Sequence, residues 1–167
     1  MTPAKQETKL TGEFVERLRK LSYDVRTDGD GATLEGRSGA QHSFDVVATR
    51  DDGFMSYKLV ADVGQSDDGE PLGLGTVFAF DDKCYDCGVR DKIFLVFPGL
   101  DEVAERFALN QRIKVLNEES LKEFVENTSE RPLPEGKSLA GWDSKTRVFQ
   151  SLASLGYSIK RNAVTKG

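Results

Sequence analysis

Three apolar stretches decide the fold of this chain: SFDVVAT at residues 43–49, YKLVADV at residues 57–63, and KIFLVF at residues 92–97. The first two are rich in β-branched and aromatic residues and lie between turn-forming sequences, which is typical of strands. The third is a continuous apolar run ended by Pro98-Gly99, which is typical of a strand buried on both faces of a sheet. The sequence therefore predicts a central sheet built from these stretches.

Helical periodicity appears on both sides of these strands. Apolar residues at i, i+4, i+8 and i+11 predict an amphipathic helix over residues 7–21, and a second stripe predicts a helix beyond the Gly- and Asp-rich loop at 64–75. The two stripes are Leu10, Phe14, Leu18 and Leu21, and Val77, Phe80, Cys84 and Cys87. Asp101 is a suitable N-cap for a third helix to about Asn110, because its carboxylate can accept backbone N–H bonds.

Shorter strands and turns complete the body. Residues 23–26 begin a strand, and the Asp28-Gly29-Asp30-Gly31 turn favours a hairpin that returns through residues 32–36. Residues 113–116 predict a last short strand and residues 118–126 a last helix. The predicted order is α-β-β-β-α-β-α-β-α, an α/β body with a mixed sheet.

The C-terminal part of the chain differs in composition from this body. We expect a body at residues 1–127, a linker rich in Pro and polar residues at 128–138, and a basic extension at 139–167 that contains a short helix. The extension's VFQSLASLGYSIKR (148–161) resembles FVERLRKLSYDVR (14–26), which leaves open whether it begins a truncated second module or whether helix-to-strand junctions simply look alike.

Composition excludes several classes of protein. Apolar residues make up 38% of the 167 and charged residues 31%, as in globular, soluble chains rather than disordered ones. No stretch approaches the roughly 20 apolar residues of a membrane span, and the first residues lack the apolar region of a signal peptide. We therefore expect no membrane partner. Two Cys do not make a disulfide scaffold, so we expect the reducing cytoplasm as the compartment.

Charge is distributed unevenly along the chain. The net charge of −5 divides into +2 for residues 1–26, −12 for residues 27–136 and +5 for residues 137–167. A net acidic chain is not an obvious nucleic-acid binder, but a basic tail on an acidic body keeps that role open.

The order of elements and a lone Asp on the second long strand resemble the restriction-endonuclease-like fold, in particular its Mrr-type branch. The residues that carry the resemblance are the entry helix ending LSYDV (21–25), then FDVVA (44–48), the strand at 57–63, the Cys84-bearing helix and KIFLV (92–96). The likeness covers roughly residues 7–126. It implies a nuclease fold of archaeal or bacterial type with a central mixed sheet, and a DNA partner.

The resemblance also implies a site. Nucleases of this fold place an Asp on one strand opposite an acidic-x-Lys pair on the next, and Mg²⁺ held by the carboxylates assists phosphodiester hydrolysis. Asp45 fits the first position, and we expect Phe44 and Val46 to point to the opposite face. The second position departs from the pattern, because the strand carries Lys58 and Asp62 on one face with Val60 between them. A helix-1 Glu, common in such nucleases, is also missing, since its slot falls at about Thr11.

Three interpretations remain open on these residues. Asp45, Asp62 and Lys58 form a rearranged catalytic site, with Mg²⁺ on Asp45 and Asp62, in an active endonuclease. Alternatively the site is degenerate and the protein is a nuclease-derived, DNA-associated protein with weak or no cleavage, which the departures favour. From another class, the acidic body is an interaction or regulatory module for a protein partner or a second copy. Against cleavage, residues 62–91 hold eight acidic and two basic side chains, which repel phosphates.

Two further motifs invite chemistry. His42, the only histidine, lies three residues before Asp45 in an expected turn, where a solvated role is the simplest interpretation. The Cys84-x-x-Cys87 pair continues the apolar stripe of a helix instead of beginning one, which favours packing over redox chemistry.

The basic extension is the better candidate for nucleic acid, because cationic and stacking side chains occur together in it. Its candidate contact residues are Lys137, Trp142, Lys145, Arg147, Lys160 and Arg161. The alternative is that the basic extension docks on the chain's own acidic body or binds a partner protein.

Overall fold

The computed structural model describes residues 3–27 and 31–126, with side chains from Lys9 onward. The helices are α1 (Pro3–Lys20), α2 (Leu74–Asp86), α3 (Glu102–Asn110) and α4 (Glu118–Glu126). The strands are β1 (Asp24–Thr27), β2 (Thr33–Glu35), β3 (Gln41–Ser43), β4 (Val46–Asp51), β5 (Ser56–Gln65), β6 (Asp91–Phe97) and β7 (Ile113–Leu116).

Five of these strands form a central mixed sheet in the order β1-β4-β5-β6-β7. β4 pairs antiparallel with both β1 and β5, whereas β6 pairs parallel with β5 and with β7. The parallel connections run through α2 and α3, as crossover connections require a helix or a similarly long segment. The fold is thus α/β with helices flanking a mixed sheet, which is the core that the resemblance to restriction-endonuclease-like proteins implies.

Each face of the sheet is covered by a separate apolar cluster. On the first face, the helices α1 and α4 pack on β4, β5 and β6 through Leu10, Phe14, Val46, Leu59, Leu95 and Leu121. On the second, α2 and α3 pack through Val47, Val60, Val77, Phe80, Phe94 and Ala104. Alternate residues of β4 and β5 enter the two clusters, as the two-residue period of a strand requires. We call these faces the α1 face and the α2 face.

Most of the locally encoded elements are confirmed. The strand predicted at 57–63 is β5, KIFLVF lies in β6, and the predicted helix to Asn110 is α3. The carboxylate of Asp101 accepts a hydrogen bond of 2.8 Å from the backbone N–H of Ala104, so its N-cap role is confirmed as well.

Two predictions about the first strands are wrong. The expected hairpin does not form between β1 and β2, because β1 pairs with β4 and β2 pairs with β3 in a separate two-stranded sheet. The stretch 43–49 is also not one strand: β3 ends at Ser43, β4 begins at Val46, and the chain bends between them. As a result Phe44 and Val46 enter opposite clusters instead of sharing one face.

The chain consists of two units, Met1–Asn127 and Thr128–Gly167. The linker and the basic extension lie outside the described residues, so their assignment stays a prediction. No helix in the described ranges is both long enough and apolar enough to cross a membrane.

Candidate functional site

Asp45 and Asp62 lie together where β4 separates from β5. The last pair of this ladder joins Val46 to Ala61, so the same register continued would set the two aspartates opposite each other. Their side chains instead hold the two backbones: the N–H of Asp45 donates to Oδ1 of Asp62 at 3.1 Å, and the N–H of Val63 donates to Oδ2 of Asp45 at 2.6 Å. The two carboxylates predicted from the sequence are therefore neighbours. Both stabilise the point where β4 and β5 separate, which we call the fork.

A lysine that the sequence analysis missed completes this cluster. The ammonium of Lys83, on α2, donates to Oδ2 of Asp62 and, at 2.9 Å, to the backbone carbonyl of Ser43. It also lies 4.8 Å from the centre of the Phe44 ring, in cation–π contact. The side chains of Asp62 and Lys83 are only 14% and 28% exposed, so the ion pair is partly shielded from water.

The sequence did contain a signal for Lys83. It is the only basic residue of α2, and it follows Phe80 by three residues and directly precedes Cys84, both of which are buried. A helix side chain at such a position lies at the edge of the buried stripe and can reach along the sheet. The partner strand, however, follows only from the three-dimensional packing.

Lys58 is not brought to the two aspartates. It lies on β5 opposite Thr49 of β4, four residues before Asp62, and its side chain is exposed. At roughly 3.3 Å per residue the Cα atoms of Lys58 and Asp62 are about 13 Å apart. In the structure the amine that contacts Asp62 is therefore that of Lys83, on another element, and not that of Lys58.

The position where the resemblance implies a lysine, two residues after Asp62, is Gly64. A Cβ at this position would lie 2.7 Å from Cδ1 of Leu72 and 2.9 Å from Cζ of Phe94. Apolar side chains thus fill the space that a lysine there would need. The helix-1 position near Thr11 lies on α1, which packs on the α1 face, whereas Lys83 reaches Asp62 from the α2 face.

A second ion pair holds α2 in place independently. Nζ of Lys92, on β6, lies 2.6 Å from Oδ1 of Asp81, and both side chains are less than one-fifth exposed.

Buried Cys84 is a free thiol in the same helix, and desolvation raises its pKa to about 12. Burial also raises the pKa of Cys87, the C-cap residue of α2. Cys84 packs in the core cluster of the α2 face and Cys87 packs against it, in agreement with the packing interpretation.

His42 belongs to strand β3 and not to a turn, and it is half-buried. Its Nε2 lies 2.7 Å from Oδ2 of Asp86, and that same oxygen accepts a 2.5 Å hydrogen bond from the hydroxyl of Ser38. Hydrogen bonds from Ser38 first and His42 second lower the pKa of Asp86 to about 2. Since the serine bonds the aspartate and not the histidine, the trio is no nucleophile relay; it attaches β2 and β3 to the end of α2.

The donors at the fork do not fit a Mg²⁺ ion as they are arranged. Such an ion prefers six oxygen ligands and is commonly held by one or more carboxylates with waters. Within the described residues there is no group of three or more His, Cys, Asp or Glu side chains that could hold a metal. One of the two carboxylates, Asp62, is already neutralised by the ammonium of Lys83.

Cationic side chains also line a groove beside α1. Its volume is about 610 Å³, and its basic lining residues are Lys9, Arg17, Arg19 and Lys20. Two of these cations form surface ion pairs, Lys9 with Glu13 and Arg19 with Glu16. The predicted nucleic-acid residues of the basic extension lie outside the described residues.

The similarity of this chain to known proteins is limited to its fold. No family model and no curated protein matches the sequence. Among solved structures, a protein of unknown function, AF1548, is 18% identical with a TM-score of 0.53, over 87% of this chain and 78% of that one. The DNA modification-dependent restriction endonuclease AspBHI is 10% identical with a TM-score of 0.47, over 93% of this chain and 40% of that one. The first likeness shows a shared fold alone, and the second is too distant to add to it.

Proposed function

We propose that this chain is a nuclease-derived, DNA-associated protein with weak or no cleavage activity. The observation that carries the proposal is the ion pair between Lys83 and Asp62. A nuclease of the kind the sequence resembles needs its carboxylates available for a divalent cation, whereas here one of them binds an ammonium.

The backbone contacts at the fork support the same conclusion. Asp45 and Asp62 each accept a backbone N–H from the neighbouring strand, so both have a structural reason to be present that requires no catalysis. Packing of Leu72 and Phe94 over Gly64 removes the usual position for the lysine. Fold and aspartates are thus retained while the arrangement that cleavage requires has changed.

Charge supports association with DNA. Residues 137–167 carry a net charge of +5 and the sequence's only tryptophan, a combination suited to phosphate contact and base stacking. The groove beside α1 adds basic side chains to a body that is acidic as a whole, although Glu13 and Glu16 also line it.

Cleavage is tested with the full chain on plasmid, single-stranded and branched DNA in Mg²⁺ or Mn²⁺, beside an Asp45→Ala variant. We expect no cleavage, or a slow reaction. Efficient cleavage that the variant loses would overturn the proposal in favour of a metal-dependent endonuclease.

DNA association is tested by fluorescence anisotropy at low salt. We expect binding that weakens as salt rises, and we expect deletion of residues 137–167 to weaken it and to reduce the salt dependence. A matched variant that replaces Lys145, Arg147, Lys160 and Arg161 by Gln should behave like the deletion. If the full chain binds no DNA at low salt, the proposal fails and a protein partner for the acidic body becomes the better assignment.

A further inference from the structure

We infer that the ammonium of Lys83 is a built-in cation that occupies the place of a divalent metal at the Asp45–Asp62 fork, so that metal ions and Lys83 compete for Asp62. The inference rests on the proposed function and explains, through one side chain, why such a site would cleave weakly.

The hydrogen-bond acceptors of the ammonium are of the kind that a hard cation selects, although the Phe44 ring also lies 4.8 Å away. Its two recorded hydrogen-bond acceptors are oxygens, one from the Asp62 carboxylate and one from the Ser43 carbonyl, and Asp45 is bonded to Asp62 through its backbone. Carboxylate and backbone carbonyl oxygens are also the ligands that Mg²⁺, Mn²⁺ and Ca²⁺ select. A positive charge is needed at this point because two carboxylates lie close together with little water around Asp62.

Lys83 can leave the two aspartates while α2 stays in place. Its side chain is 28% exposed, and the long flexible stem of a lysine lets the ammonium move into solvent. The helix that carries it is held separately by the Asp81–Lys92 ion pair and by the buried side chains of Val77, Phe80 and Cys84. Displacement of Lys83 is therefore a side-chain motion and requires no movement of α2.

The chain offers a matched control. Lys58 is an exposed lysine on the same strand and the same face as Asp62, about 13 Å away. Replacing it by Gln makes the same change in net charge as replacing Lys83, but removes no contact with the fork.

The test measures Mn²⁺ binding to the full-length protein without DNA, by calorimetry or by the electron paramagnetic resonance of free Mn²⁺. We expect Lys83→Gln to bind Mn²⁺ about 10- to 100-fold more tightly than the wild type, the factor that corresponds to loss of one competing charged hydrogen bond. Lys58→Gln should bind as the wild type does, and adding Asp62→Asn to Lys83→Gln should abolish the gain. Equal affinity of Lys83→Gln and the wild type would overturn the inference, as would an equal gain in Lys58→Gln.

A second measurement needs no variant. In the wild type, Mn²⁺ should raise the reactivity of Lys83 toward an amine-modifying reagent relative to Lys92, as read by mass spectrometry. A ratio that stays constant up to the highest Mn²⁺ concentration that keeps the protein in solution would contradict the displacement. Because neither experiment contains DNA, failure here is distinct from failure of the proposed DNA association.

Discussion

Asp45 and Asp62 connect β4 and β5 by side-chain hydrogen bonds where the two strands separate. The backbone N–H of Asp45 donates to the carboxylate of Asp62, and the carboxylate of Asp45 accepts a hydrogen bond from the backbone N–H of Val63. Each aspartate thus replaces a backbone acceptor at the point where β4 and β5 separate. The pair is a structural junction as well as a candidate ion site, and its stability and its chemistry are tested separately.

We expect Asp62→Asn to destabilise the protein by about 1–3 kcal/mol, because the variant keeps an acceptor for the Asp45 N–H but loses the charged partner of Lys83. Urea denaturation measures the change. Asp91→Asn, at an exposed position on the adjacent strand β6, is the control and should stay within about 0.5 kcal/mol of the wild type. Equal stabilities of the two variants would show that the Asp62–Lys83 pair contributes little.

Gly64→Ala should cost about 1–3 kcal/mol, since its Cβ would lie within 3 Å of both Leu72 and Phe94 in a packed core. The control is Gly75→Ala, in the first turn of α2 with no atom within 4 Å of its Cβ, which should be neutral or stabilise by up to about 1 kcal/mol. Thermal or urea unfolding measures both. If Gly64→Ala costs as much in a Leu72→Ala background as in the wild type, the contact with Leu72 is not the cause of the loss.

Prediction from the sequence succeeded where the determining interactions are local. Periodicity and caps identified β5, β6 and α3, whose signals lie within a few residues of one another. The bend between Ser43 and Val46 was missed because it depends on contacts outside the stretch itself: β3 pairs with the preceding strand β2, and Lys83, 40 residues away, binds the carbonyl of Ser43.

The candidate site was likewise predictable only in the part that local sequence determines. Asp45 and Asp62 follow from strand patterns, and the structure does bring them together. Lys58 was chosen because it shares a face with Asp62, but a shared face does not make residues four apart neighbours. Lys83 is 21 residues from Asp62 in sequence and meets it only because α2 crosses over β5.

The hydrogen bonds of Asp86 with Ser38 and His42 predict that the stability of the protein falls at acid pH. The folded-state pKa of about 2 lies below the ordinary value of 3.8, so this carboxylate contributes stability above about pH 4 and loses that contribution as pH falls toward 2. Asp86→Asn should therefore be less stable than the wild type at neutral pH, and the difference should shrink as the pH drops through that window. Urea denaturation at a series of pH values measures it.

Ser38→Ala provides the matched test, because Ser38 is the largest cause of the low pKa of Asp86. The pKa of Asp86, followed by carboxyl NMR, should rise toward its ordinary value in this variant. A stability difference between Asp86→Asn and the wild type that does not change between pH 7 and pH 2 would contradict the assignment.

The thiols provide the last prediction. Burial raises the pKa of Cys84 to about 12 and raises that of Cys87 as well, so neither forms an appreciable thiolate at pH 8. Alkylation of the folded protein with iodoacetamide should be slow at both residues and slower at Cys84, which is fully buried, than at half-buried Cys87. Both should react at the rate of a free thiol in urea. Rapid reaction of either cysteine in the folded state, or a Cys84–Cys87 disulfide after mild oxidation, would restore a redox role for the pair.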